Sequence, residues 1–378
     1  YGDTGITVAE NAEEALMLAR KQSGNDSLTS SDLRQDDDVL DTWFSSWLWP
    51  ITSFDGINDP TNPDLKYYYP TNDLITAPEI LFFWVARMII AGYEYQGEKP
   101  FRNVYLTGLV RDQQRRKMSK SLGNSPEPLD LIKKYGADGV RVGMMLCSPA
   151  GNDLLYDDSL PEQGRNFANK IWNAFRLVKG WKTDDKMSQP ESSVIAVRWM
   201  NEIIRKSTGE IDSNFRKFRI SEALMSTYRL FWDEFSGWYL EIIKPEYKKP
   251  VDKATYEATI SIFDALMHLI HPFMPFITEE IWQLLSERKD GESLMISRMP
   301  SARKFNRDLI ARFSFAKETV STIRAVRKEK QLLNRDPISL FIRTDSETFD
   351  TELMPVVKKL CNVSEVEFVS GKQEGSVS

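Results

Sequence analysis

Two cysteines and two histidines are all that 378 residues contain. Cys147 and Cys361 lie too far apart and are too few for a disulfide framework or a thiolate metal cage, so both read as small buried apolar residues. His268 and His271, in LMHLIHPFMPFITEEIW, can share a helix face. Two ligands without a third fall short of a zinc site, so packing and helix-end hydrogen bonding are expected of them, and no protein-bound metal. No window holds the roughly 18 uncharged apolar residues of a membrane span. The most apolar run, ILFFWVARMIIAGY, is interrupted by Arg87 and reads as a buried helix of about fourteen residues. The opening YGDTGITVAEN has neither the basic start nor the apolar core of a secretion signal, which makes the cytosol the expected compartment. Neither GxGxxG nor GxxxxGK[ST] occurs. A net positive charge is lacking too: a net charge of −6 and a pI near 5.3 argue against a surface coated for indiscriminate nucleic-acid binding, though not against a partner read by local patches.

What is present is an ordinary globular composition, 41% apolar and 28% charged, on a chain long enough for two or three domains. The first thirty residues read as a strand, a turn and a helix, with Asn11 as N-cap and Glu14 at the reciprocal position of a capping box. A polar connector, SGNDSLTSSDLRQDDD, follows. Between residues 71 and 110 the chain alternates a short apolar run, the helix just named and a second apolar run, NVYLTGLV, an order that predicts parallel α/β structure. Beyond Pro149 the period becomes helical. Phe167, Ile171, Ala174, Phe175 and Val178 fall on one face, as do Leu224, Tyr228, Phe231, Phe235 and Tyr239. These aromatic stripes read as bundle core. Thr278 is the expected N-cap of TEEIWQLLSER. A last helix leads to two strand-like runs, ISLFIRT and EVEFVSG.

One short loop stands out chemically. RRKMSKSLGN places Arg115, Arg116, Lys117 and Lys120 with Ser119, Ser121 and Gly123, just beyond the carboxyl end of a predicted strand, where open α/β sheets bind ligands. Ammonium and guanidinium groups with hydroxyl donors suit a polyphosphate.

RKMSKSLGN after NVYLTGLVRD resembles the KMSKS signature of class I aminoacyl-tRNA synthetases, and DDDVLDTWFSSWLWP is similar to the block that marks the valyl enzymes. TAPEILFFWVARMI, YGADGVRVGMM, NFANKIWNAF, HPFMPFITEEIW and IRAVRKEKQL extend the resemblance from about Asp36 to Asn334. Isoleucyl relatives look like DVWFDSG where this chain has Thr42, Ser45 and Ser46, which favours valine; another branched-chain synthetase, or a non-catalytic tRNA-binding module with a relic loop, are the alternatives. The resemblance implies that Lys117 and Lys120 lie over the ATP triphosphate and stabilise the departing pyrophosphate, each by ~2–4 kcal/mol, with Lys120 in the main role. It implies a packing role for Met118, phosphate contacts for Ser119 and Ser121, and an adenine contact along Gly108, Leu109 and Val110. Trp43, Glu79 and Ile80 would wall the valine pocket; many valyl enzymes carry GYD where this chain has Ala77, Pro78 and Glu79. ATP brings Mg2+, and the remaining partners are valine and tRNA(Val), with no membrane and no partner protein.

The implied fold is a partial Rossmann-like nucleotide-binding half-domain of α/β type, followed by an all-α helical bundle and a small α+β C-terminal piece. The expected division is 1–35, a connector from an editing insertion; 36–150, the second half of the catalytic domain; 151–302, the anticodon-binding bundle; and 303–378. Lys170, Arg176, Arg216, Lys217 and Arg219 are the expected phosphate contacts of the bundle. The family's second signature, resembling HIGH, does not occur, nor does a threonine-rich editing segment, for which a valine pocket that admits threonine creates the need. The chain therefore reads as the carboxyl-terminal portion of a longer enzyme, inactive in valine activation by itself.

Overall fold

The computed structural model describes residues 5–146, 151–343, 351–371 and 373–376. Cys147, and the boundary expected at 150, lie outside them. The chain divides into two compact units, 1–74 with 79–104, and 75–78 with 105–378.

The first unit is mostly helical. Helix α1 (Ala12–Ser23) is capped by the Asn11 side chain, which accepts from the Glu14 N–H at 2.9 Å. The Glu14 carboxylate accepts from the Glu10 N–H and not from Asn11, so the capping box is shifted by one residue. No strand precedes α1 among the described residues, contrary to expectation: residues 5–10 are mostly exposed and offer no apolar face to a neighbour. Short helices α2 (Thr42–Ser46), α3 (Trp49–Thr52) and α4 (Pro63–Tyr68) lead to strand β1 (Thr71–Thr76). A π-helical turn, Leu81–Val85, runs into α5 (Ala86–Tyr95), and strand β2 (Phe101–Leu106) pairs with β1. Backbone bonds from Thr71 to Pro100 and from Thr107 to Thr76 advance in the same sense along both strands. The expected buried helix is buried on one face only. Val85, Met88 and Ala91 are inside, whereas Phe82, Phe83, Ile90 and Tyr93 are exposed.

In the second unit, strand β3 (Val110–Arg111) pairs in parallel with β4 (Leu154–Leu155). Helices α6 (Pro128–Tyr135) and α7 (Ala137–Leu146) lie between them in sequence. The bundle consists of α8 (Ser159–Lys179), α9 (Glu191–Arg216), α10 (Ile220–Arg229), a π-helical stretch Leu230–Tyr239, α11 (Leu240–Ile243), α12 (Lys253–Ile270) and α13 (Pro275–Leu285). Strands β5 (Thr183–Asp184) and β6 (Val251–Asp252) clip two of its connections together. Helix α14 (Arg307–Glu329) leads to strand β7 (Ile338–Arg343), α15 (Met354–Cys361) and strand β8 (Val363–Val369), which runs parallel to β7.

One apolar core runs through the bundle and into this last piece, and it contains the two predicted stripes. Phe167, Ile171, Phe231, Phe235 and Tyr239 are inaccessible to solvent, and Tyr228 packs partly buried on the edge. Cys361 is buried within the same core, as expected. Helices α7 and α8 touch backbone to backbone: a Cβ at Gly164 would lie 2.1 Å from the Gly139 carbonyl oxygen, so only glycine fits.

Helix α7 is also bolted to the turn between α12 and α13. Its Asp138 carboxylate accepts from the Ile277 and Phe276 N–H groups at 2.7 and 3.3 Å, in the first turn of α13. Its Arg141 guanidinium donates to the Pro272 and Phe273 carbonyls, both at 3.1 Å. Asp138 thus satisfies the free N–H groups that the sequence pattern assigns to Thr278. The helix begins earlier, at Pro275, and the Thr278 hydroxyl donates back to the Met274 carbonyl at 2.7 Å. That hydroxyl oxygen is 2.7 Å from His271 Nδ1, and His268 Nδ1 lies 2.9 Å from the Asp264 carbonyl. His271, at the C-cap of α12, thus makes the expected helix-end bond, whereas His268 bonds back within the body of the helix.

Candidate functional site

The loop RRKMSKSLGN begins where β3 ends. Arg111 forms an isolated antiparallel bridge with Lys117, and the Met118 N–H donates to the Val110 carbonyl at 3.3 Å, so the chain turns back on itself across residues 112–116. Arg115, with φ +62°, makes the reversal.

Asp112 organises that turn. Its buried carboxylate accepts from the Arg116 N–H at 2.8 Å, from Arg116 Nε at 2.8 Å and from Asn124 Nδ2 at 3.0 Å. Asn124 in turn accepts from the Ser119 N–H at 2.9 Å and donates to the Lys117 carbonyl at 3.3 Å, so one side chain ties both flanks of the KMSKS stretch to Asp112. The bond from Asn124, with those from Arg116, holds the Asp112 carboxyl down at about 2. Sequence reasoning singles out neither Asp112 nor Asn124. The only signal is their place in VRD and LGN, and an aspartate beside a basic run reads as a solvated charge until its partners are seen.

Arg116 thus pairs with Asp112 while its side chain stays exposed. Lys117 and Lys120 are exposed, as are Arg115 and Ser121, while Met118 and Ser119 are half-buried. The Ser119 hydroxyl accepts from the Leu122 N–H at 3.3 Å and lies 3.2 Å from the Ser121 hydroxyl. The loop presents two lysines on a turn whose base is fixed by directional bonds.

Gly108, Leu109 and Val110 run alongside the segment that leads into β4. A Cβ at Gly108 would fall 1.5 Å from the Asn152 carbonyl oxygen, so close approach to this chain's own backbone already requires glycine there. The Leu109 N–H donates to Asp153 at 3.0 Å, and Arg111 Nε pairs with the same carboxylate. Arg111 and then the Leu109 N–H hold Asp153 below the usual carboxylate range.

In the first unit, Trp43 is half-buried and its ring stacks on Phe83 with centroids 6.1 Å apart. Asp41 caps the short helix that carries it, accepting from the Trp43 N–H at 2.7 Å. Glu79 and Ile80 share the 3-10 turn Pro78–Ile80, the glutamate exposed and the isoleucine half-buried. Of the bundle cations named from sequence, Arg176, Lys217 and Arg219 are exposed, Arg216 pairs with Asp212 at 3.0 Å, and Lys170 sits over the Trp232 ring at 5.3 Å. Among the described residues no group of three acidic, histidine or cysteine side chains could hold a metal ion, and no helix is long and apolar enough to cross a membrane.

Two family descriptions match the chain, tRNA synthetases class I (I, L, M and V) over residues 4–157 and anticodon-binding domain of tRNA ligase over residues 197–342. The valine–tRNA ligase of Parabacteroides distasonis is 58% identical over 99% of this chain and 42% of its own length. The chain belongs to the class I valyl-tRNA synthetase family. It spans about two fifths of the length of the curated valyl-tRNA synthetases it matches; for that of Thermotoga maritima the identity is 40% over 91% of this chain and 39% of the relative. Two solved structures share the fold at low identity. A LeuRS–tRNA–LeuAMS ternary complex from Agrobacterium radiobacter K84 matches with a TM-score of 0.53 at 20% identity, over 73% of this chain and 34% of that one. Methionyl-tRNA synthetase of Mycobacterium tuberculosis with methionyl-adenylate matches at 0.51 and 18%, over 67% of this chain and 52% of that one. The partial Rossmann-like half followed by a helical bundle is thus the class I arrangement.

Proposed function

We infer that this chain is part of a longer valine–tRNA ligase, which activates valine with ATP and passes it to tRNA(Val). The observation that carries this reading is the 58% identity to a valine–tRNA ligase across nearly the whole chain. In this reading Lys117 and Lys120 neutralise charge on the pyrophosphate as it leaves, acting on the transition state more than on bound ATP. Ser119 and Ser121 line the phosphates, Met118 packs the loop onto its neighbours, and residues 108–110 face the adenine. Mg2+ arrives on the nucleotide's own oxygens. Trp43, Ile80 and Glu79 wall the valine side chain.

The domain reading follows the same lines: residues 1–35 as connector, 36–150 as the nucleotide half-domain, 151–302 as the anticodon-binding bundle, and 303–378 as a closing α/β piece. Exposed Arg176, Lys217 and Arg219 are the first candidates for contacts to tRNA phosphates, and such binding weakens as salt rises.

Catalysis by positioning needs ATP gripped from both halves of a nucleotide fold. Residues 1–378 alone are accordingly expected to make no valyl-adenylate, and the upstream sequence supplied in trans should restore some valine-dependent pyrophosphate exchange. Exchange by residues 1–378 alone that disappears in the Lys117→Ala, Lys120→Ala double variant would sink this account of the site. Exchange driven by isoleucine and not valine in the full-length protein would reassign the substrate.

A further inference from the structure

A carboxylate beside a polyphosphate site works against it, because it repels the ligand and offsets the pull of the cations. Asp112 is nonetheless built into the turn that carries Lys117, and only 8% of its surface is exposed. Its carboxyl stays ionised through the neutral range, so it can only accept hydrogen bonds. The groups that surround it are donors: the Arg116 N–H, Arg116 Nε and Asn124 Nδ2. Its charge is thus answered inside the loop, and its effect on a ligand runs through the partners it holds.

Asn124 carries that anchorage forward. Its Oδ1 accepts from the Ser119 N–H at 2.9 Å and its Nδ2 donates to the Lys117 carbonyl at 3.3 Å, so one amide closes residues 117–124 into a ring. Both partners are main-chain groups. From the other side, Lys117 bridges to Arg111, and the Met118 N–H donates to the Val110 carbonyl at 3.3 Å, which ties the same stretch to β3. The Lys117 backbone is therefore held on two sides while its side chain reaches into solvent. A long flexible side chain acts on a developing charge efficiently only when its root is fixed, since any freedom of the root has to be removed in the transition state. A neighbouring bond of the same turn leads elsewhere: Gln113 Nε2 donates to Asp157 at 2.8 Å, outside the loop.

We propose that Asp112 and Asn124 are positioning residues for the activation step, fixing the Lys117 backbone so that its ammonium meets the departing pyrophosphate. The proposal rests on the reading of Lys117 given above.

The test is valine-dependent pyrophosphate exchange by variants of the full-length protein. Asp112→Asn is nearly isosteric but turns an amide toward donors; it should lower kcat about fivefold or more while KM for ATP and for valine changes little. Asn124→Ala should act in the same direction. Gln113→Ala, which cuts the outward bond, should leave kcat near that of the unaltered protein. Lys117→Ala then separates positioning from general support. It keeps the carbonyl that Asn124 binds, so adding Asp112→Asn to it should cost less than about twofold further. Unchanged kcat in Asp112→Asn overturns the proposal, as does a loss equally large in the Lys117→Ala background. A loss matched by Gln113→Ala, or explained by a fall in melting temperature, overturns it too. In each of these cases an impaired Lys117→Ala leaves the reading of Lys117 standing; an unimpaired Lys117→Ala removes that reading and the proposal with it.

Discussion

The bundle core and the KMSKS loop belong to the same unit and are held by opposite means. In the core, Phe231, Phe235 and Phe263 meet edge-on or tilted at 5.3 to 6.0 Å, all inaccessible to solvent, inside one continuous apolar cluster. Such stabilisation is non-directional and spread over many side chains. The loop has two lysines in solvent and a base fixed by a handful of directional bonds to Asp112 and Asn124. A bundle that must hold its shape is built from burial. The loop, which we propose presents charge to a nucleotide, is built from hydrogen bonds, so it can be disturbed without unfolding its support.

The contrast is broken most severely from the core side. Trp199 is 1% exposed and stacks on Phe313 at 4.1 Å. Trp199→Ala should cost about 3–5 kcal/mol in urea denaturation, and a loss below about 1 kcal/mol would mean that the core is not the continuous cluster described.

The next effect separates the two regions by pH. Burial lowers the pKa of His271 from the ordinary 6.5, so its folded state prefers the neutral ring. Protonation then favours the unfolded chain: stability is full above about pH 6.5 and erodes as pH falls below it. Melting temperature should therefore decline from neutral toward about pH 5, and His271→Gln should flatten that decline. Asp112 works in a lower window. With its folded pKa held at about 2, its contribution is complete above the ordinary carboxylate value and disappears only as pH falls through about 2. The Asn124 side-chain amide resonance should stay unchanged while the bundle softens, and a shift near pH 6 would contradict the assignment.

A smaller and local change is expected for Asp112→Ala. Amide exchange at Arg116 and Ser119 should quicken while bundle amides keep their protection. Equal deprotection of both would show that loop and bundle open together.

Legibility from sequence divides along the same line. The stripes through Phe167 and Phe231 follow from periodicity, which reports on non-directional packing, and ISLFIRT and EVEFVSG are legible as strands though their parallel pairing is not; burial of Cys361 follows from the lack of a cysteine partner. Thr278 misleads because the cap is supplied by Asp138, 139 residues before the Ile277 N–H that it accepts from, and no local pattern records such a partner. The pairing of Arg116 with Asp112 is hidden for a similar reason: the two are close in sequence, yet the turn that joins them rests on Arg115 at positive φ. For Gly108, assigned to adenine by resemblance, the structure adds the Asn152 carbonyl as a reason for glycine.

The most direct test of the central claim is Lys120→Ala in the full-length protein, measured by valine-dependent pyrophosphate exchange. If its charge acts on pyrophosphate as it leaves, the activation rate should fall about tenfold or more with valine affinity nearly unchanged. An unchanged rate with collapsed valine binding would contradict the account and move Lys120 from the leaving group to the amino-acid pocket.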